Sequence, residues 1–162
     1  MKQRYLKAGA YIVSLFSLLA SCTPQLPSPT GYAIVMGIAD YPGEENDLTY
    51  TVDDAVSVGS LLQAKGYTVS ALLIDADATR QDLETQIESI ASAIGKEETF
   101  ILYFSGHGGY SSVLPGEEPE GRTCENECIV LNTEEQTEVD YLTDDELKSL
   151  IAEIPAQKKL IL

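Results

Sequence analysis

Basic residues are scarce in this sequence: ten Lys and Arg stand against 26 Asp and Glu, for a formal charge of −16 over 162 residues. A surface so acidic repels nucleic acid and anionic lipid headgroups, and either attracts basic partners or simply keeps the chain soluble. No glycine-rich phosphate loop follows the first strand-like run, which argues against a flavodoxin-like nucleotide or phosphate binder. No internal repeat is visible. Histidine occurs once and cysteine three times, too few ligands for a metal centre built on Cys124 and Cys128. No apolar run reaches the roughly 20 residues of a membrane-crossing helix. What remains is 44% apolar and 22% charged residues, a composition for one packed domain rather than a disordered or fibrous chain.

The first 21 residues read as a targeting signal. Lys2, Arg4 and Lys7 form a positive start, and Ala8 to Ala20 is almost uncharged and rich in Leu, Ile, Val and Ala. Both features belong to an export leader. The leader ends in Leu19-Ala20-Ser21-Cys22, which resembles the bacterial lipobox, where small residues fit the signal peptidase and the cysteine thiol accepts lipid. That resemblance implies a lipoprotein anchored to the membrane through Cys22. Thr23 in place of an aspartate points to the outer membrane of a host that has one. An ordinary signal peptide and an uncleaved anchor helix are the alternatives. Removing the leader takes away three basic residues and no acidic ones, so the mature charge is −19. Residues 22–30 form a proline-rich spacer that stays extended, and the domain is expected over 31–162.

Within that domain, strand and helix patterns alternate. Tyr32 to Ile38 is a nearly continuous apolar run, as expected of a strand covered on both faces. A loop-like stretch, Ala39 to Thr49, follows. Val52, Ala55, Val56, Gly59 and Leu62 recur at helical spacing, with Gly66 as the C-terminal cap. Tyr67 to Ile74 reads as a strand. Thr79 and Asp82 form a loose capping box for a helix with a stripe of Leu83, Ile87, Ile90, Ala91 and Ile94. Thr99 to Phe104 is a third strand. Ser105 to Asp140 is polar and glycine-rich, with one short extended piece at Cys128 to Leu131. Thr143 and Glu146 cap a last helix with Leu147, Leu150, Ile151 and Ile154 on one face, and Lys158 to Leu162 begins a fourth strand. Such alternation implies an α/β fold with a mostly parallel sheet and helices on both faces, and chemistry beyond the carboxyl ends of the strands.

His107, the single histidine, stands in Tyr103-Phe104-Ser105-Gly106-His107-Gly108-Gly109, directly after the third strand. The strand delivers the imidazole to the sheet's carboxyl edge. The flanking glycines let the backbone turn and leave amide N–H groups uncovered. An imidazole with an ordinary pKa of about 6.5 exchanges protons at neutral pH, and an exposed N–H beside it suits a developing oxyanion.

In order, the segments AIVMGIADY, TVDDAVSVGSLLQAKGY, ILYFSGHG and YLTDDELKSLIAEIPAQKKLIL resemble the caspase-like cysteine peptidases, and within them the metacaspase and bacterial orthocaspase branch. The resemblance runs from Tyr32 to Leu162. It implies a caspase-like three-layer fold, incomplete at its C-terminus, and hydrolysis of protein or peptide substrates by a His–Cys dyad. His107 is then the general base, and the N–H of Gly108 contributes to the oxyanion hole. Cleavage after Arg or Lys is implied too, with Asp54 as the acidic substrate-binding residue. A carboxylate there can hold a guanidinium through two hydrogen bonds. Asp54 is read equally well as a solvated helix-start carboxylate. Asp144-Asp145 match part of a calcium pattern found in some metacaspases; adjacent acids at a helix start are more often simple caps, so no metal is expected, with calcium as the alternative. No counterpart of the arginine pocket that selects aspartate is recognisable.

The resemblance also demands a nucleophilic cysteine, in an Asp-x-Cys context at the end of the fourth strand. In the caspase branch the histidine lies roughly 50 residues before it, and Leu162 is 55 positions after His107. The nucleophile is therefore expected within the next few positions. Cys22 belongs to the leader. Cys124 and Cys128 lie in an acidic loop, either as a local disulfide or as two free thiols, and neither follows a buried strand or a helix start that would activate it. Three readings stay open: a fragment of a longer peptidase, a naturally truncated product, or a non-catalytic caspase-like lipoprotein that binds a basic protein.

Overall fold

The computed structural model describes residues 30–110 and 127–162. The leader, most of the spacer, Cys22 and Cys124 lie outside them. The central strand, β1 (Gly31–Gly37), is buried on both faces from Ala33 to Met36, which is why its sequence is unbroken apolar rather than alternating. On either side lie β2 (Tyr67–Ile74) and β3 (Thr99–Ser105), and β7 (Lys158–Ile161) pairs with the far edge of β3. All neighbours are parallel, in the order β2-β1-β3-β7. The crossovers are α1 (Thr51–Ala64) and α2 (Arg80–Ala93), while α3 (Asp144–Ala152) precedes β7.

The two sheet faces are filled differently. Ile34, Met36, Ala71, Leu73, Phe100 and Leu102 share one core with Leu83, Ile87, Ile90 and Ile94 around α2 and with Ile151 and Ile154 around α3. On the opposite face lies α1, which comes close because it buries only Ala55 and Gly59. A Cβ on Gly37 would stand 2.6 Å from the Ala55 Cβ and 2.7 Å from the Thr51 carbonyl oxygen, so only glycine fits there. Helices thus cover both faces, as the alternating pattern implies. Among the described residues no helix is long and apolar enough to cross a membrane.

The caps stand where the sequence puts them. Thr79 Oγ1 accepts the Asp82 N–H at 3.1 Å, Thr143 and Glu146 form a reciprocal box, and Gly66 takes a φ of 87° after α1. The Glu146 carboxyl is held below its ordinary range, first by the Thr143 N–H it accepts and with help from Arg80. Its folded-state value is depressed, so its contribution is present above the ordinary carboxylate range and fades as pH falls through the folded value.

One region departs from expectation. The stretch from Ser105 to Asp140 contributes a second sheet rather than a single extended piece. In it β4 (Gly108–Tyr110), β5 (Glu127–Asn132) and β6 (Val139–Thr143) pair antiparallel in that order. Strand β4 is mostly glycine and β6 is mixed with charge, so neither has a periodicity of its own. They are strands because β5 supplies hydrogen-bonding partners, the context dependence that defeats local propensity. Arg80 ties this sheet to the helices: its guanidinium meets Asp140 at 2.6 and 3.1 Å, the Tyr141 carbonyl at 3.0 Å and Glu146 at 3.4 Å.

Candidate active site

The carboxyl end of β3 turns through Gly106 and His107 into β4, so the histidine sits where the large sheet hands over to the small one. Its backbone is held on both sides. The His107 N–H donates to Tyr41 Oη at 2.9 Å, and its carbonyl accepts the Val130 N–H at 2.9 Å. The ring is held as well, with Nε2 lying 2.7 Å from the backbone carbonyl oxygen of Asn46. A carbonyl can only accept, so Nε2 carries the proton in this contact and, in the neutral ring, Nδ1 keeps the free lone pair. The side chain is thereby aimed and set in one tautomer.

Tyr41 and Asn46 both come from the loop after β1. That loop closes on itself: Tyr41 N–H donates to Asp47 Oδ1 at 3.2 Å, Leu48 N–H to the Ala39 carbonyl at 2.9 Å, and Asn46 Nδ2 to the Pro42 carbonyl at 2.8 Å. From outside it is held by Asp75, whose Oδ1 accepts the N–H groups of Ala39 at 2.7 Å and Asp40 at 3.0 Å. Asp75 takes a φ of 47°, a left-handed conformation that Asp tolerates better than most residues. Asn132, 1% exposed, donates to the carbonyls of Asp40 and Asp75 at 2.9 and 3.1 Å.

Beside the imidazole lies a cleft of about 320 Å³. Tyr41, Asn46 and His107 form one side and Gly108 and Gly109 the next. Val130, Val139 and Tyr141 supply an apolar wall. Val130 and Tyr141 are cross-strand partners on β5 and β6, with Val139 two residues along the same face. Gly108 is exposed beside the imidazole, and a Cβ there would meet nothing nearer than the Cys128 carbonyl oxygen at 3.6 Å. Tyr41 is 4% exposed, and burial pushes its phenol up to about 12, so it is a neutral hydroxyl at any physiological pH.

Of the residues singled out from the sequence, His107 and Gly108 meet at this cleft. Asp54 does not line it. Asp54 is exposed in the first turn of α1, where its N–H donates to the Tyr50 carbonyl at 2.9 Å. The start of α1 nevertheless sits at the carboxyl end of β1, since Thr51 Oγ1 donates to the Ile38 carbonyl at 2.6 Å. Asp144 and Asp145 stand in the first turn of α3, and no group of three or more metal-binding side chains is gathered among the described residues. Cys128 is a buried free thiol beneath Gly109, its pKa raised by burial and partly offset by the Gly109 backbone. A protonated, covered thiol is a poor nucleophile. Tyr41, Asp75, Asn132 and the Asn46 carbonyl were not legible as site groups. Nothing local distinguishes Tyr41 within the loop-like stretch after β1, and a backbone carbonyl leaves no mark on a sequence.

A family model described as the caspase domain of peptidase C14 matches residues 30–162. The chain is 24% identical over 127 residues to metacaspase-1 of Mycosarcoma maydis, covering 74% of this chain and 30% of that protein. It is 29% identical over 98 residues to metacaspase-1 of Schizosaccharomyces pombe, covering 55% and 23%. The chain therefore spans less than a third of the length of the curated relatives it matches. Among solved structures it is similar to the crystal structure of protein GSU0716 from Geobacter sulfurreducens, with a TM-score of 0.62 and 25% identity over 82% of this chain and 48% of that one.

Proposed function

Because the chain belongs to the caspase domain family, we propose that it is the histidine-bearing part of a cysteine endopeptidase that cuts after Arg or Lys. The observation that carries this reading is the arrested imidazole at the end of β3. With Nε2 spent on Asn46, Nδ1 is the atom that takes the proton from a thiol and returns it to the leaving amine. The N–H of Gly108, exposed alongside, is the donor for the oxyanion.

The register of β7 supports the placement of the thiol. Thr99 pairs with Lys158 and Leu102 with Ile161, and the Phe104 N–H donates to the Leu162 carbonyl at 3.0 Å. A chain continued in that register brings the second to fourth positions after Leu162 alongside Ser105 to His107. A cysteine there stands beside the imidazole, and the apolar wall of Val130, Val139 and Tyr141 packs against the bound peptide. The acidic residue proposed to select the basic side chain is Asp54, from the start of α1.

The test is cleavage of peptide amides bearing Arg, Lys or Asp before the scissile bond. The 162-residue chain should cleave none of them. The same frame read through an Asp-x-Cys strand end should cleave the Arg and Lys substrates and leave the Asp one intact. Thiol-independent cleavage, or a preference for Asp, refutes the reading. A protein with no cysteine supplied beside His107 would instead be a binding module for basic proteins, favoured by the burial of Cys128 and the acidic surface. We further propose that the domain is tethered to the cell envelope through Cys22. Cells expressing the chain should incorporate labelled palmitate into it, and Cys22→Ser should abolish the label; undiminished labelling of that variant rules the anchor out.

A further inference from the structure

We infer that Tyr41 is a positioning residue for His107, its hydroxyl fixing where the imidazole stands in the cleft. The inference rests on reading His107 as the proton carrier of the site. Tyr41 Oη accepts the His107 N–H at 2.9 Å and donates to the Val130 carbonyl at 3.0 Å. One buried atom thus ties together the loop after β1, the link from β3 to β4, and β5. Val130 returns its own N–H to the His107 carbonyl at 2.9 Å, closing a ring of three hydrogen bonds around the histidine backbone. The phenol ring lies 4.8 Å from the imidazole centroid at an interplanar angle of 53°, a tilted aromatic contact.

The same packing accounts for the glycine before the histidine. A Cβ on Gly106 would stand 2.6 Å from Tyr41 Oη and 2.6 Å from Phe104 Cζ. The hydroxyl is pinned by two hydrogen bonds and cannot step aside without breaking them. The ring tip is held by Asn46 and the backbone by Tyr41, both on the loop that Asp75 and Asn132 anchor. The imidazole is therefore referenced to that loop at two points, rather than to β3 alone.

A tyrosine that merely fills space would be replaced without loss by phenylalanine, so Tyr41→Phe separates the two roles. The chain has a single histidine, and nitrogen-15 NMR of its imidazole reads one ring without overlap. In the wild-type chain, the neutral ring should be the Nε2–H tautomer, and the His107 amide should be protected from exchange. In Tyr41→Phe, exchange of the His107 amide and ring N–H should accelerate about tenfold or more. The amides of Ile34 and Leu102 in the sheet should keep their protection.

A folded Tyr41→Phe chain with the tautomer and both exchange rates unchanged overturns the inference. Should the variant fail to fold, the wild-type amide decides: a His107 N–H that exchanges like an open-loop amide overturns it, and a protected one supports it. None of these readings uses peptidase activity. Absence of cleavage by the frame read through an Asp-x-Cys strand end would count against the proposed function and leave the Tyr41 result standing.

Discussion

Asn132→Asp should lower stability by about 3–5 kcal/mol at neutral pH, the scale of an uncompensated buried charge. Asn132 is 1% exposed, and its amide nitrogen faces two carbonyl oxygens, those of Asp40 and Asp75. Its Oδ1 has no partner among the described residues. A carboxylate in the same volume turns two attractive contacts into two oxygen–oxygen repulsions. Its cheapest escape is to keep its proton. The folded-state pKa of the new aspartate then lies above its unfolded value, so the folded chain holds a proton that the unfolded chain releases. By linkage, stability falls as pH rises through that interval. Urea unfolding should therefore show a smaller deficit at pH 4 than at pH 8. Equal stability of the two chains at pH 8 would remove Asn132 from its place as the anchor of the loop after β1.

His107→Ala should do the reverse, leaving the fold intact and stopping the chemistry. The imidazole gives up one hydrogen bond to Asn46 and its tilted contact with Tyr41, while the backbone bonds to Tyr41 and Val130 survive because they do not involve the side chain. The stability change should stay within about 1 kcal/mol. In a protein that also carries the nucleophile, kcat/KM should drop by about 10²- to 10⁴-fold, the usual contribution of a positioned general base. Unfolding curves and peptide-amide hydrolysis on the same preparations test both halves. A variant that keeps its kcat/KM would mean that another group activates the thiol, and the reading of the cleft would fall with it.

The two substitutions differ because the site is built from two kinds of element. The strand that delivers His107 is part of the core: Phe100 and Leu102 of β3 belong to the same buried cluster as residues of α2 and α3. The loop that receives it gives Tyr41 and Leu48 to that core and is otherwise held by polar contacts, within itself and from Asp75 and Asn132. Damage to those groups is therefore expected to register as lost stability, and damage to the imidazole as loss of the proposed chemistry.

By itself the sequence determined the large sheet and its helices. β1 is unbroken apolar because both faces are covered, the stripe of α2 has helical period, and Thr79, Thr143 and Gly66 mark helix ends by local hydrogen bonding and backbone preference. These signals lie within a few residues of what they specify, so they survive in one dimension. The placement of His107 at the carboxyl end of β3 is legible for the same reason, since strand and histidine are contiguous. Tertiary structure alone decided the rest. Strands β4 and β6 exist through pairing with β5. Tyr41 meets His107 across 66 positions, Asn132 reaches Asp40 across 92, and Asp54 stands outside the lining of the cleft although its helix begins at the same sheet edge. Such contacts depend on which long-range surfaces meet when the chain closes on itself, and on backbone groups such as the Asn46 carbonyl that every residue possesses.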